Sequence, residues 1–203
     1  AVVHNGIIEN FAEYKDDLVG KGISFNSQTD TEVIAQLVEE KISREKCEPL
    51  EAVRLVVKKL SGSFALCFIF RGIGNLMIAT RRGSPLALGF GEKENFVSSD
   101  ATSLSIFSKK ICYLEEDDFA LLTPEEVKIF DSSEKRVSRD VQLLNTDPVT
   151  LSKGKYKHFM EKEIFEQPEI ISQVLGFYLN AAEETLSLPP LPKSSEIKRI
   201  IFI

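Results

Sequence analysis

At 203 residues the chain is long enough for one domain with a sizeable core and an appendage. Its composition, 43% hydrophobic and 28% charged, is that of an ordinary soluble globular protein. A net charge of -6 with no basic block argues against nucleic acid or an anionic membrane as the main partner, and no apolar run approaches transmembrane length.

The apolar run Ala1-Val2-Val3 reads as the end of a buried strand, followed by the polar cluster His4-Asn5-Gly6-Ile7-Ile8-Glu9-Asn10. Ile8, Phe11, Tyr14 and Leu18 then recur at helical spacing. Gly20-Lys21-Gly22 supplies a C-terminal stop, and Ile23 to Asn26 a short extended piece. Thr29 and Glu32 form the S/T-x-x-E pattern of a capping box, opening a helix whose apolar stripe is Val33, Ile34, Leu37, Val38 and Ile42. Pro49 suits the first turn of a third helix with Leu50, Val53, Val57 and Leu60 as its core face. The period then changes. Phe64 to Phe70 is a continuous apolar run that predicts a strand covered on both faces, paired in a hairpin with Leu76 to Thr80. Leu86 to Phe90 is a further strand, and Ser98-Ser99-Asp100 heads a short helix over 101–107. Ile111 to Leu114, Phe119 to Leu122 and Val127 to Phe130, separated by charged turns, predict an antiparallel meander. Residues 131–155 are polar and read as irregular. Residues 156–180 read as helical, with Phe159, Ile164, Ile171, Val174, Leu175 and Tyr178 as buried positions and a kink or restart at Pro168. Residues 188–195 read as a linker. Helices, then strands, then a helix imply a layered α+β domain.

The two polar clusters, His4–Asn10 and Ser27–Glu32, are separated by one amphipathic helix and so can return to the same sheet edge. There Asn5 and Gly6 could offer two donors to one point, and Asp30 a carboxylate to a cation. Each also has a plain structural meaning, since Asn-Gly is a common turn dipeptide and an aspartate in a first helical turn favours the helix dipole. No phosphate loop is present: Gly72-Ile73-Gly74 and Gly89-Phe90-Gly91 read as turns. Two histidines, His4 and His158, exclude a His-rich metal site, and His158 reads as a structural or surface residue. Cys47, Cys67 and Cys112 lack paired spacing, which predicts a reducing compartment with neither disulfides nor zinc. Cys67, mid-strand in an apolar run, reads as a small core residue.

HNGIIEN (4–10) and SQTDTEV (27–33), with Arg82-Gly83-Ser84-Pro85-Leu86, Ser98-Ser99-Asp100 and the stretch YKHFMEKEIFEQP (156–168), together resemble the glutaminase domains of the glutamine–fructose-6-phosphate aminotransferases. These are class II, N-terminal-nucleophile (Ntn) amidotransferases. The resemblance implies a four-layer αββα sandwich, here truncated at its N-terminus. It implies a domain over 1–155, a helix and linker over 156–199, and the first residues of a sugar isomerase domain at 200–203. In the family an N-terminal cysteine attacks the glutamine side-chain amide, with its own α-amine as base; such an amine titrates near ~8, so no histidine is needed. By position the resemblance makes Asn5 and Gly6 the oxyanion hole, and Asp30 the residue that binds the α-amino group of L-glutamine. It implies no cofactor or metal, fructose 6-phosphate as acceptor in a separate domain, a homo-oligomer formed through that domain, and a cytoplasmic enzyme of amino-sugar synthesis. The nucleophilic cysteine and the loop that clamps the glutamine α-carboxylate are expected upstream of Ala1, so these 203 residues alone are expected to be inactive and to expose sheet edges. Phosphoribosylpyrophosphate amidotransferases, asparagine synthetases and a non-catalytic domain without the cysteine are the alternatives.

Overall fold

The computed structural model describes residues 1–144, 153–180 and 185–186. It divides into two compact units, Ala1–Leu151 and Ser152–Ile203. In chain order the first unit runs β1 (Val2–Ile8), α1 (Phe11–Gly20), α2 (Asp30–Ser43), α3 (Pro49–Val57), β2 (Gly62–Phe70), β3 (Ile73–Arg82), β4 (Ala87–Phe90), β5 (Asn95–Ser98), α4 (Ala101–Leu104), β6 (Lys110–Tyr113), β7 (Phe119–Leu122), β8 (Val127–Phe130), β9 (Arg136–Val137) and β10 (Val141–Leu143). The second holds α5 (Phe159–Tyr178) and the paired β11 (Leu179–Asn180) and β12 (Thr185–Leu186).

Two antiparallel sheets stack in the first unit. One has the order β1-β2-β3-β7-β8-β9, the other β10-β6-β4-β5. Strand side chains alternate faces, and the alternation sorts the core into three layers. Phe64, Leu66, Phe68 and Ile78 face the helices and pack with Val33, Ile34, Val53 and Val56. Ala65, Ala79 and Ala120 face the second sheet and meet Leu88, Cys112 and Leu114. Ala87 and Ile111 turn outward from the second sheet onto Ala101 and Leu104 of α4. The result is helix, sheet, sheet, helix, the expected αββα order. Helix α4 is short but properly begun, since Asp100 accepts hydrogen bonds from the Thr102 and Ser103 amides.

Several elements differ from expectation. Ile8 closes β1 rather than opening α1. The three strands do not form one meander. β6 pairs with β4 and β10, while β7 and β8 pair in the other sheet, so the charged turn 115–118 carries the chain from one sheet to the other. Buried Asp118 anchors that crossing: it takes two hydrogen bonds from Arg139, at 2.8 and 2.7 Å, and one from the Glu115 amide. Residues 131–144 include β9 and β10 rather than irregular chain alone. The β2 run is covered on both faces at Phe64–Leu66, yet Ile69 is 56% exposed. Gly74 lies in β3 and Gly89 in β4, not in turns. In the second unit α5 continues through Pro168, with Phe159, Ile164, Ile171, Val174 and Leu175 exposed rather than buried. The expected linker at 188–195 and the run at 200–203 lie outside the described residues.

Candidate functional site

Strand β1 forms one edge of the larger sheet among the described residues. Its register fixes which backbone groups point outward. Ala1 and Ile69 exchange both backbone hydrogen bonds (2.8 and 3.0 Å), and the Glu9 amide bonds to the Ser61 carbonyl at 2.9 Å. Alternation along an antiparallel pair then turns the amides of His4, Gly6 and Ile8 away from β2. Among the described residues the Gly6 N–H is therefore an unpaired, outward-facing donor. Only glycine can stand there: its φ is +133°, and a Cβ would sit 2.1 Å from the Ser63 carbonyl oxygen. The adjacent Asn5 side chain is exposed, and its amide has no hydrogen-bond partner among the described residues. It borders a small cavity of about 70 Å³ walled by Ala65, Cys67, Leu86, Val97 and Ser98.

The N-terminus of α2 comes up against this edge. Thr29 caps the helix, accepting from the Glu32 amide. The other half of the expected capping box is changed. Glu32 reaches past Thr29 to accept from the Asn26 amide at 2.8 Å and from the Ser27 amide at 2.6 Å. Those bonds hold its carboxyl below the usual range and stiffen the loop ahead of Asp30. Asp30 is then set in the first turn with one oxygen, Oδ2, accepting from the outward-turned Ile8 amide at 2.9 Å. Its other oxygen, Oδ1, lies 3.4 Å from Thr31 Oγ1 and 3.7 Å from His4 Nδ1. The carboxylate keeps 22% of its surface and has lone pairs left for a cation. The structure thus brings all three expected residues, Asn5, Gly6 and Asp30, to one sheet edge.

Sequence reasoning passed over His4 and Thr31. The His4 side chain is 2% exposed, and its Nδ1 lies 3.1 Å from Thr31 Oγ1. The signal was present: His4 alternates with Val2 and Ile8 on the helix face of β1, a polar residue in an apolar phase. Burial lowers the imidazole pKa against the opposing pull of Asp30, so the ring is neutral near pH 7. The Arg82–Leu86 segment lies beside the same edge. Ser84 Oγ is 3.0 Å from Ser63 Oγ on β2, and Glu116 accepts from Arg81 at 2.7 Å and from the Gly83 amide at 2.9 Å. Of the three cysteines, Cys67 and Cys112 have thiols pushed up by burial to about 11, the reverse of what a nucleophile needs. Among the described residues no group of three or more His, Cys, Asp or Glu could hold a metal ion, and no helix is long and apolar enough to cross a membrane.

A family profile described as "Glutamine amidotransferase domain" matches residues 1–105. Over 204 residues the chain is 45% identical to glutamine–fructose-6-phosphate aminotransferase [isomerizing] of Zymomonas mobilis, covering 100% of this chain and 33% of that protein. The enzyme of the same name from Brucella abortus is 49% identical over 180 residues, covering 89% and 30%. The chain therefore spans about a third of the length of the curated relatives it matches. Among solved structures, glutamine phosphoribosylpyrophosphate amidotransferase from B. subtilis superposes with a TM-score of 0.57 at 21% identity, covering 70% of this chain and 30% of that one. A second, described as the allosteric regulatory enzyme of purine biosynthesis, gives 0.55 at 22% identity, covering 64% and 28%. At those identities the likeness is one of fold, and it supports the expected α+β Ntn architecture.

Proposed function

The chain belongs to the glutamine amidotransferase domain family, and on that premise we propose that it is the ammonia-releasing half of an enzyme that converts fructose 6-phosphate to glucosamine 6-phosphate. The observation that carries the reading is the edge of β1. Among the described residues a Gly6 N–H and an Asn5 amide without partners and a half-engaged Asp30 carboxylate stand there together.

The chemistry follows from what each group can do. Attack on the glutamine side-chain amide puts negative charge on the former carbonyl oxygen. The Gly6 N–H and the Asn5 amide donate to that oxyanion, fixed in place before the charge develops. The Asp30 carboxylate accepts from the substrate's α-ammonium, a charge-assisted hydrogen bond that orients glutamine along the edge. The nucleophile is an N-terminal cysteine outside these 203 residues. Cys67 and Cys112, with thiols pushed up by burial, are poorly suited to the part. The N-terminal cysteine's own α-amine takes the thiol proton and returns it to the leaving ammonia.

Identity of 45% to one aminotransferase over the whole chain, and of 49% to another over 89% of it, favours fructose 6-phosphate as acceptor. Likeness to the phosphoribosylpyrophosphate enzyme is at the level of fold. We place the domain at 1–155, a helix and linker at 156–199 and the start of a sugar isomerase domain at 200–203. The enzyme acts in the cytoplasm and forms a homo-oligomer through that further domain. The test is steady-state assay of the full-length polypeptide that carries this chain. Glutamine-dependent formation of glucosamine 6-phosphate is expected. Ammonia release with no amino-sugar product would remove the acceptor, and no ammonia release would remove the reading.

A further inference from the structure

We propose that His4 is a positioning residue for glutamine: through Thr31 it holds the Asp30 carboxylate in the orientation that receives the substrate's ammonium. The inference rests on the role of Asp30 proposed above. Its starting point is a polar ring where the fold asks for an apolar one. The His4 side chain is 2% exposed on the helix face of β1, between Val2 and Ile8, which join the apolar cluster. Its Nε2 is buried with no hydrogen-bond partner among the described residues, a cost that leucine or phenylalanine would not carry. What the ring contacts through its other nitrogen is the first turn of α2. His4 Nδ1 lies 3.1 Å from Thr31 Oγ1, and Thr31 Oγ1 lies 3.4 Å from Asp30 Oδ1.

The orphaned Nε2 fixes the tautomer. A buried acceptor nitrogen without a donor is less costly than a buried N–H without an acceptor when Nδ1 has an oxygen in reach, so the proton sits on Nδ1. Nδ1–H donates to Thr31 Oγ1, and the Thr31 hydroxyl donates on to Asp30 Oδ1. The Ile8 amide holds Oδ2 at 2.9 Å. Both carboxylate oxygens are thus tied to β1, the strand that also carries the Asn5–Gly6 donors. The distance between the ammonium subsite and the oxyanion subsite is set by one strand, and rotation of the Asp30 carboxylate is blocked. The ring's neutrality matters here: a charged imidazole 3.7 Å from Asp30 would compete with the substrate's own cation.

The experiment uses the full-length enzyme, with kcat and KM for glutamine read by ammonia release and folding read by thermal melting. His4→Phe fills the space without the hydrogen bond, Thr31→Val removes the intermediate hydroxyl from a half-exposed position, and His4→Asn restores an N–H near the place of Nδ1. His4→Phe and Thr31→Val should each raise KM ~10-fold with kcat within ~2-fold, as loss of one orienting hydrogen bond does. The double variant should be no worse than either alone, and His4→Asn should recover most of the loss. An unchanged KM in Thr31→Val, or equal loss in His4→Phe and His4→Asn with lowered melting, would overturn the proposal and return His4 to packing. Asp30→Ala separates the two readings. If it raises KM while Thr31→Val does not, only the positioning role falls. If Asp30→Ala leaves KM unchanged, the assigned role of Asp30 fails first.

Discussion

The two faces of β1 are built by opposite rules. On the helix side Val2, His4 and Ile8 lie against α2 and its neighbours, and Ile8 is 1% exposed. On the other side Val3 is 73% and Ile7 67% exposed, and the Asn5 amide has no partner among the described residues. There the sandwich stands open between β1 and β5, with a groove of about 390 Å³ bordered by Val3, Cys67, Val97 and Phe107. The first face locates the strand; the second, with the outward edge, is left to act. The contrast teaches that this site draws its precision from packing it does not itself share. Asn5 and Gly6 can stay unsatisfied because Val2 and Ile8 pack their strand against the helices.

That contrast can be broken on either side. Gly6→Ala sits at the boundary and should be the most costly change. The new Cβ meets backbone at 2.1 Å in a positive-φ conformation, so β1 must separate from β2, with an expected loss of about 4 kcal/mol or more by chemical denaturation. Leu66→Ala, fully buried on the helix side of β2, should cost about 2–5 kcal/mol. Ile69→Ala, on the open side and 56% exposed, should cost less than about 1 kcal/mol. Equal costs for Leu66 and Ile69 would mean that the open face is packed in solution. Thr29→Ala removes the α2 cap and should cost about 1 kcal/mol, with a rise in glutamine KM because Asp30 sits in the turn it begins. The smallest effect concerns pH. The His4 pKa is lowered on folding, so the unfolded chain binds that proton more readily. Stability from the neutral ring is complete above ~6.5, the usual imidazole value, and is lost as pH falls from there through the folded pKa. Urea midpoints at pH 7.5 and 5.5 should therefore differ more in the parent protein than in His4→Phe.

The helix face was legible in the sequence because burial writes itself as period. Val33, Ile34, Leu37 and Val38 mark α2, and the Thr29–Glu32 pattern marks its start. The candidate site was legible as residue types, Asn5, Gly6 and Asp30, and their return to one edge followed from a single intervening helix. What period could not give was sheet membership. β6 and β7 are both short apolar runs, and nothing local says that they belong to different sheets; that is decided by Asp118 and Arg139, 21 residues apart. The inward histidine did carry a signal, its alternation with Val2 and Ile8, but the polar cluster it shares with Asn5 hid it. Strand register shows that His4 and Asn5 point to opposite faces. The apolar stripe of α5 misled for a related reason, since a 3.6-residue period predicts a face but not a partner for it.

The most direct test of the site is to separate its two halves kinetically in the full-length enzyme. Asn5→Ala should lower kcat for glutamine hydrolysis ~100- to 1000-fold with KM nearly unchanged, because the oxyanion exists only as the reaction proceeds. Asp30→Ala should instead raise KM ~10- to 100-fold, because the α-ammonium is bound from the start. That split, with both variants melting like the parent, is the result the account predicts. Parent-like kcat in Asn5→Ala, or parent-like KM in Asp30→Ala, would contradict it.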